Sequence, residues 1–234
     1  ELAYRLAPLR SGDYYPLLLL SYILGKGRDS ILSQSLLVRD SSILDFDIRL
    51  EVREGMGAFF FSLLPSLERL DSAEVEVLTQ LDFLRRSGIP LHQLDRAKAL
   101  FLKDHYMRLQ VLTERAHVLA YHAAEGDFED RERLTSILQE ITPKQVSQVL
   151  DRYFRDSNLC LLEYLPLTVP ERTFSAERLL ETLRLLVKTN LAQRVGPEEV
   201  VAEPNEKSSF PPLKFVPNYL KYEIKKTAIL NGPV

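Results

Sequence analysis

Residues Leu44 to Arg53 constrain this chain more than any other stretch. Leu44, Phe46, Ile48, Leu50 and Val52 alternate with Asp45, Asp47, Arg49, Glu51 and Arg53. A period of two puts the apolar set on one face of a strand and the charged set on the other. One face, with Phe46 on it, is therefore expected to be buried and the other wet. Glu54-Gly55-Met56-Gly57 reads as a turn, and Ala58 to Leu64 is a continuous apolar run ended by Pro65. Together they predict an antiparallel hairpin whose second strand is the more buried one. A hairpin with one apolar face needs something to cover that face, and the rest of the chain reads mostly as helix.

Leu2 to Leu6 suits a strand that runs, past Pro8, into a helix starting near Asp13. Leu17 to Leu20, Ile23 and Leu24 are apolar nearly all round, as in a buried helix, and Gly25-Lys26-Gly27 ends it. Asp29 or Ser30 can cap a second helix carrying Ile31, Leu32, Ser35, Leu36 and Arg39, which stops before Ser41-Ser42. Asp71 with Glu74 resembles a capping box ahead of Val75, Leu78, Leu81 and Leu84, and Gly88 with Pro90 ends that helix. The stripe Leu94, Ala97, Phe101, Leu109, Leu112, Ala116, Leu119 and Ala123 predicts one long helix up to Glu125-Gly126-Asp127. Thr142-Pro143-Lys144-Gln145 combines an N-cap, a proline at N1 and a capping-box glutamine, so one helix should end near Ile141 and another begin. Leu159 to Leu165 reads as a closing strand.

The fold class expected from this order is α+β, a mostly antiparallel sheet packed against helices, with a C-terminal helix and linker. The helix spans Phe174 to Gln193, with Leu179, Leu180, Leu183, Leu186 and Val187 as its stripe, and it needs a surface to dock on. From Gly196 to Pro217 the composition turns to Pro, Glu, Lys and Ser, which describes an extended linker. Tyr219 to Leu230 then alternates again. The expected division is a domain over residues 1–166, a helix and linker over 167–217, and the first strand of a following domain over 218–234. The chain begins with Glu1 rather than Met, so an excerpt of a longer protein is expected.

Thirty basic against 33 acidic residues leave a net charge of −3, so no positive excess exists to drive nucleic-acid binding. Apolar runs such as Tyr14 to Leu24 fall short of the ~20 residues that span a bilayer, and no membrane partner is expected. Cys160 is the single cysteine, which excludes an internal disulfide, and within its apolar run it should behave as a small hydrophobe.

Nucleophilic, phosphate and metal chemistry each lack their motif. His92, His105, His117 and His122 are the only imidazoles, and they form neither His-x-x-Glu-His nor His-Glu-x-x-His. His117 with Glu114 and His122 with Glu125 can share helix faces, as solvated pairs commonly do. Gly25-Lys26-Gly27 lacks the Gly-Lys-Ser/Thr ending of a phosphate loop and reads as a helix stop and restart. No Gly-x-Ser-x-Gly elbow marks a nucleophile. Arg39 stands at a helix end just before the best strand, where a guanidinium can present planar donors to a carbonyl or carboxylate, or simply favour the helix C-terminus.

One ordered series of segments goes further. Tyr4-Arg5-Leu6-Ala7-Pro8, Gly12-Asp13-Tyr14-Tyr15-Pro16-Leu17, and Ile23-Leu24-Gly25-Lys26-Gly27 with Ser30 to Leu36 and Arg39 come first. Gly88-Ile89-Pro90, Leu94-Asp95-Arg96-Ala97-Lys98 and Ile141-Thr142-Pro143-Lys144-Gln145-Val146 follow. Over residues 1–165 this series resembles the insulinase/pitrilysin family of zinc metallopeptidases, and in particular its companion domain, which lacks the zinc motif His-x-x-Glu-His.

The resemblance implies a clamshell of two halves, each with two related α+β domains, closing around a peptide. It implies no catalytic residue, metal or cofactor in this chain, and zinc in the intact enzyme. The implied partners are the other half or a subunit carrying His-x-x-Glu-His, and a peptide substrate. The tail from Pro166 would connect the halves, and Tyr222 to Val234 would open the next one. Some relatives use an arginine and, seven residues on, a tyrosine to contact substrate backbone and stabilise the tetrahedral intermediate. Arg39 falls on that arginine. Phe46 falls on the tyrosine and brings no hydroxyl. The alternative role is a non-catalytic scaffold half that has kept the clamshell and lost peptidase activity.

Overall fold

The computed structural model describes residues 1–6, 11–39, 43–53, 56–125, 130–164 and 176–194. In chain order its principal elements are β1 (Leu2–Arg5), α1 (Tyr14–Gly25), a π-helix (Ser33–Arg39), β2 (Ile43–Arg53), β3 (Met56–Pro65), α2 (Leu70–Ser87), α3 (Leu91–Gln110), α4 (Leu112–Glu125), α5 (Asp130–Glu140), α6 (Pro143–Tyr153), β4 (Leu159–Leu161) and α7 (Ala176–Arg194). The fold is α+β, as the sequence predicts. Parts of the expected turn at Glu54-Gly55, the linker Gly196 to Pro217 and the segment Tyr219 to Leu230 lie outside the described residues.

Four antiparallel strands form one sheet in the order β2-β3-β1-β4. The register aligns Ile48, Phe61, Leu2 and Leu161 in one cross-strand row, and Leu50, Phe59, Tyr4 and Leu159 in the next. Directly opposed residues share a face, and this face is the one the helices cover. Tyr4, Phe59, Phe61 and Phe154 pack there with ring centroids 4.8 to 6.3 Å apart. The hairpin's second strand, β3, is central and more buried than β2, in line with its uninterrupted apolar run.

Leu44 departs from the expected alternation. The β2/β3 register slips between Ile43 and Asp45, so Leu44 is the extra residue of a bulge and is 77% exposed. One inserted residue resets the pleat, which is why the period-two reading holds only from Asp45 onward.

Helix α1 is buried on nearly all sides, through Pro16, Leu17, Leu19, Leu20, Ile23 and Leu24. It lies so close to the sheet that a Cβ on Gly25 would come within 2.6 Å of Ile48 Cδ1. Gly27 follows with φ +83°, the left-handed turn that ends the helix. Arg96 locks this corner: its guanidinium donates to the carbonyls of Lys26 (2.7 Å), Tyr22 (3.3 Å) and Ile23 (3.4 Å). Two residues along α3, Lys98 does the same for the end of α5, donating to the carbonyls of Ile141 (2.6 Å) and Gln139 (3.3 Å). The Arg96-Ala97-Lys98 segment is thus a double clamp on two helix C-termini. Burial lowers the proton affinity of both cations.

The capping box at Thr142 forms as read: the Thr142 side chain accepts from the Gln145 backbone, and the Gln145 side chain accepts from the Thr142 N–H at 2.8 Å. The one expected at Asp71 does not. A short 3₁₀ turn, Leu67–Arg69, feeds straight into α2, so Asp71 sits inside the first turn rather than before it. The single long helix expected from Leu94 to Ala123 breaks at Val111, which is extended at φ −89°, ψ 123°. Arg115 stabilises the break by donating through Nε and Nη2 to the Leu109 carbonyl at 2.9 and 2.8 Å.

The C-terminal helix α7 docks on α2. Leu183, Val187 and Leu191 are buried, whereas Leu186, which the sequence placed on the stripe, is 42% exposed. Arg184 pins the helix by reaching Asp82 of α2 at 3.2 Å and Asp156 beyond α6.

Candidate functional site

Arg39 is the last residue of the π-helix, and its side chain lies outside the described residues. The segment leading to it is firmly held. Leu32 and Leu36 are fully buried in the core, and Ser30 caps the turn, donating from Oγ to Ser33 Oγ at 2.7 Å and accepting from the Ser33 N–H at 3.4 Å. The sequence suggested an ordinary helix here; the chain instead widens to π geometry, a form that recurs at functional positions. Phe46 lies on β2 opposite Leu63, half-buried on the helix-covered face. Its ring faces the core, consistent with the period-two reading.

The other face of the sheet is open. Going across the strands it presents Arg49, Phe60, Ala3 and Cys160 in one row, Glu51, Ala58 and Arg5 in the row on one side, and Asp47 with Ser62 in the row on the other. Glu1 belongs to that last row, paired with Leu162 through reciprocal backbone bonds at 2.7 and 2.9 Å. Arg49 is its hub. The guanidinium lies 5.3 Å from the Phe60 ring centroid and reaches Glu1 at 2.9 Å, Asp47 at 3.6 Å and Glu51 at 3.8 Å. Ser62 Oγ stands 3.2 Å from Arg49 Nη2 and donates to Glu1 Oε1 at 3.3 Å. Sequence reasoning noticed these residues only as the wet half of an alternation. Their convergence needed the β2/β3 register and β1 beside β3.

The remaining candidates are structural. Lys26 N–H returns to the Tyr22 carbonyl at 3.1 Å and Lys26 Nζ pairs with Asp104 at 3.5 Å, so Gly25-Lys26-Gly27 is a helix stop. Cys160 is exposed on the open face, not packed as a hydrophobe, because β4 offers that face alternate residues. His105 stacks on Phe101 with centroids 6.1 Å apart, His92 and His117 are exposed, and the His122 side chain lies outside the described residues. Among the described residues, the one grouping with metal-ligand proximity is Asp71, Glu74 and Glu163. It contains carboxylates alone, a hard oxygen set without the imidazole a catalytic zinc uses, and the sequence has no His-x-x-Glu-His. Among the described residues, no group therefore fits a zinc centre. Tyr22 is perturbed by its setting: burial, with a hydrogen bond to Asp104 at 3.2 Å, pushes its phenol up to about 12.

A one-faced antiparallel sheet under a helical layer, with an ionic open face, defines an α+β domain of the kind the sequence resembles. Residues 1–101 match the family model described as the peptidase M16 inactive domain, and the resemblance to the companion domain of zinc metallopeptidases holds. Solved structures share the fold. The chain matches a protease from Helicobacter pylori at 19% identity and TM-score 0.62, over 68% of this chain and 38% of that one. The inactive peptidase domain of an inferred zinc protease from Bordetella parapertussis matches at 19% identity and TM-score 0.60, over 74% of this chain and 94% of that one. The peptidase M16 inactive domain from Pseudomonas fluorescens matches at 17% identity and TM-score 0.53, over 68% and 39%. The chain thus spans well under half of the Helicobacter and Pseudomonas chains and nearly all of the Bordetella domain. No match is found among curated proteins. Among the described residues, no helix is long and apolar enough to cross a membrane.

Proposed function

We propose that this chain is the non-catalytic domain of a zinc metallopeptidase, and that its open sheet face forms part of the wall of a peptide chamber. The observation that carries this reading is the sheet itself: helices cover one face, and the other keeps charged and apolar side chains available. Catalysis then belongs to a partner half carrying His-x-x-Glu-His, where zinc would polarise the scissile carbonyl and activate water. This domain supplies binding and orientation. Arg39, held at the end of a π-helix anchored by Leu32 and Leu36, is the residue proposed to donate to a substrate carbonyl or terminal carboxylate. Phe46 supports the strand from the core side. In the same reading residues 1–166 form the domain, 167–217 the connecting helix and linker, and 218–234 the opening of the next domain.

The test is kinetic and uses the intact protein. Arg39→Ala is expected to lower kcat/KM for peptide cleavage at least tenfold, about 1.4 kcal/mol of transition-state stabilisation, with folding unchanged. Unchanged kinetics would leave Arg39 as a helix-end cation. An intact protein with neither His-x-x-Glu-His nor peptidase activity would instead establish a scaffold half.

A further inference from the structure

The open face is unevenly charged along its strands. Among the described residues, Glu1 and Asp47 reach the Arg49 guanidinium at 2.9 and 3.6 Å, and Asp45 lies two residues beyond Asp47 on the same face of β2, whereas Glu51 shares its row with Arg5. Three carboxylates, Glu1, Asp45 and Asp47, thus stand against the Arg49 guanidinium and the Glu1 ammonium, so this end of the face keeps a negative surplus. The α-amine of Glu1 is engaged in the ladder with the Leu162 carbonyl at 2.7 Å. The balancing arginines, Arg5 and Arg53, stand toward the other end, and Arg53 is six residues along β2 from Asp47, ~20 Å at the rise of an extended strand. Beside the acidic end the same face shows apolar side chains: Leu64, opposite Asp45, is 58% exposed, and Leu162, opposite Glu1, is 47% exposed.

From this juxtaposition of surplus carboxylates and uncovered apolar groups, we propose that the open face selects extended peptides that combine Lys or Arg with aliphatic or aromatic residues. The cation would face Asp45, Asp47 and Glu1, and the apolar side chains would lie over Leu64 and Leu162. The inference deepens the chamber reading and rests on it, since it names the substrate class that this wall takes. Charge complementarity sets which peptide is held, and the apolar contacts supply the area. Asp45 is well placed for this: its Oδ1 already accepts the Phe46 N–H at 2.8 Å, which fixes the carboxylate on the bulge at the strand edge.

The experiment uses the complete chain and two fluorescein-labelled synthetic peptides with the same Ala, Leu and Phe frame, one carrying Arg and the other Glu at the same positions. Fluorescence anisotropy is expected to show the Arg peptide binding ~tenfold more tightly than the Glu peptide at low salt, with the preference shrinking as salt rises. Asp45→Asn with Asp47→Asn should remove the preference. Glu68→Gln with Glu181→Gln makes the same change in net charge at exposed positions elsewhere and should leave it intact. Leu64→Ser, which removes apolar area without adding charge, should weaken both peptides. Circular dichroism checks that each variant is folded. Equal affinity for the two peptides, or a preference that survives the Asp45/Asp47 pair, overturns the inference and leaves the chamber reading standing. If neither peptide binds, the inference and the peptide-binding reading of the face fall together.

Discussion

The docking of α7 makes a sharp claim about three neighbouring leucines. Leu183 is 2% exposed, Leu185 66% and Leu186 42%, so the first is part of the core while the other two face outward. Leu183→Ala removes three carbons from a packed site, and such truncations cost about 2–5 kcal/mol, the transfer of the lost groups plus the cavity left behind. The surroundings favour the upper half of that range. Val187 and Leu191 flank Leu183 on the same stripe, and Arg184 holds the helix against α2 through Asp82, so the backbone cannot easily sink into the void. Leu185→Ala, with nothing to empty, should change stability by less than about 0.5 kcal/mol. Urea unfolding followed by circular dichroism reads the difference. With a slope of about 1–3 kcal/mol per molar urea, Leu183→Ala should lower the midpoint by at least about 1 M, while Leu185→Ala leaves it in place. Equal midpoints for the two variants would refute the docking of α7 and return it to the status of a connector.

Gly25→Ala should cost about 1–3 kcal/mol by overpacking, because the new methyl meets Ile48 Cδ1 at 2.6 Å and Cγ1 at 2.9 Å. Adding Ile48→Val, which deletes Cδ1, should recover part of the loss in a double-mutant cycle. Thr142→Ala removes the side chain that accepts from Gln145 N–H and should cost about 1 kcal/mol by thermal or urea unfolding. Tyr22 ionises near 10.0 when unfolded and at about 12 when folded, so its contribution to stability is intact below pH 10 and is lost as pH rises through 12. Tyr22→Phe should flatten that alkaline decline in denaturation curves collected across the window, and an unchanged decline would assign it to other groups.

The sequence by itself determined what depends on local chemistry. The period-two alternation defined β2, the unbroken apolar run marked β3 as the more buried strand of the hairpin, and Thr142 to Gln145 started α6 with both halves of its capping box. These succeed because a strand's faces and a helix's first turn are set by residues within a few positions of one another. The ordered segments through Arg96-Ala97-Lys98 also carried the family resemblance, although their physical role as a clamp on the ends of α1 and α5 became visible only with the helices in place. Tertiary structure decided the rest. The bulge that turns Leu44 outward and the choice of Leu183 over Leu186 as a core residue depend on partners distant in sequence, whereas the break at Val111 is local, held by Arg115 reaching back six residues to Leu109. The open face is the extreme case. Arg49 lies 48 residues from Glu1 and 13 from Ser62, and only the strand order that sets β3 between β2 and β1 brings the three together. A charge cluster assembled across strands has no signature in any single one of them, because each strand contributes only every second residue to it.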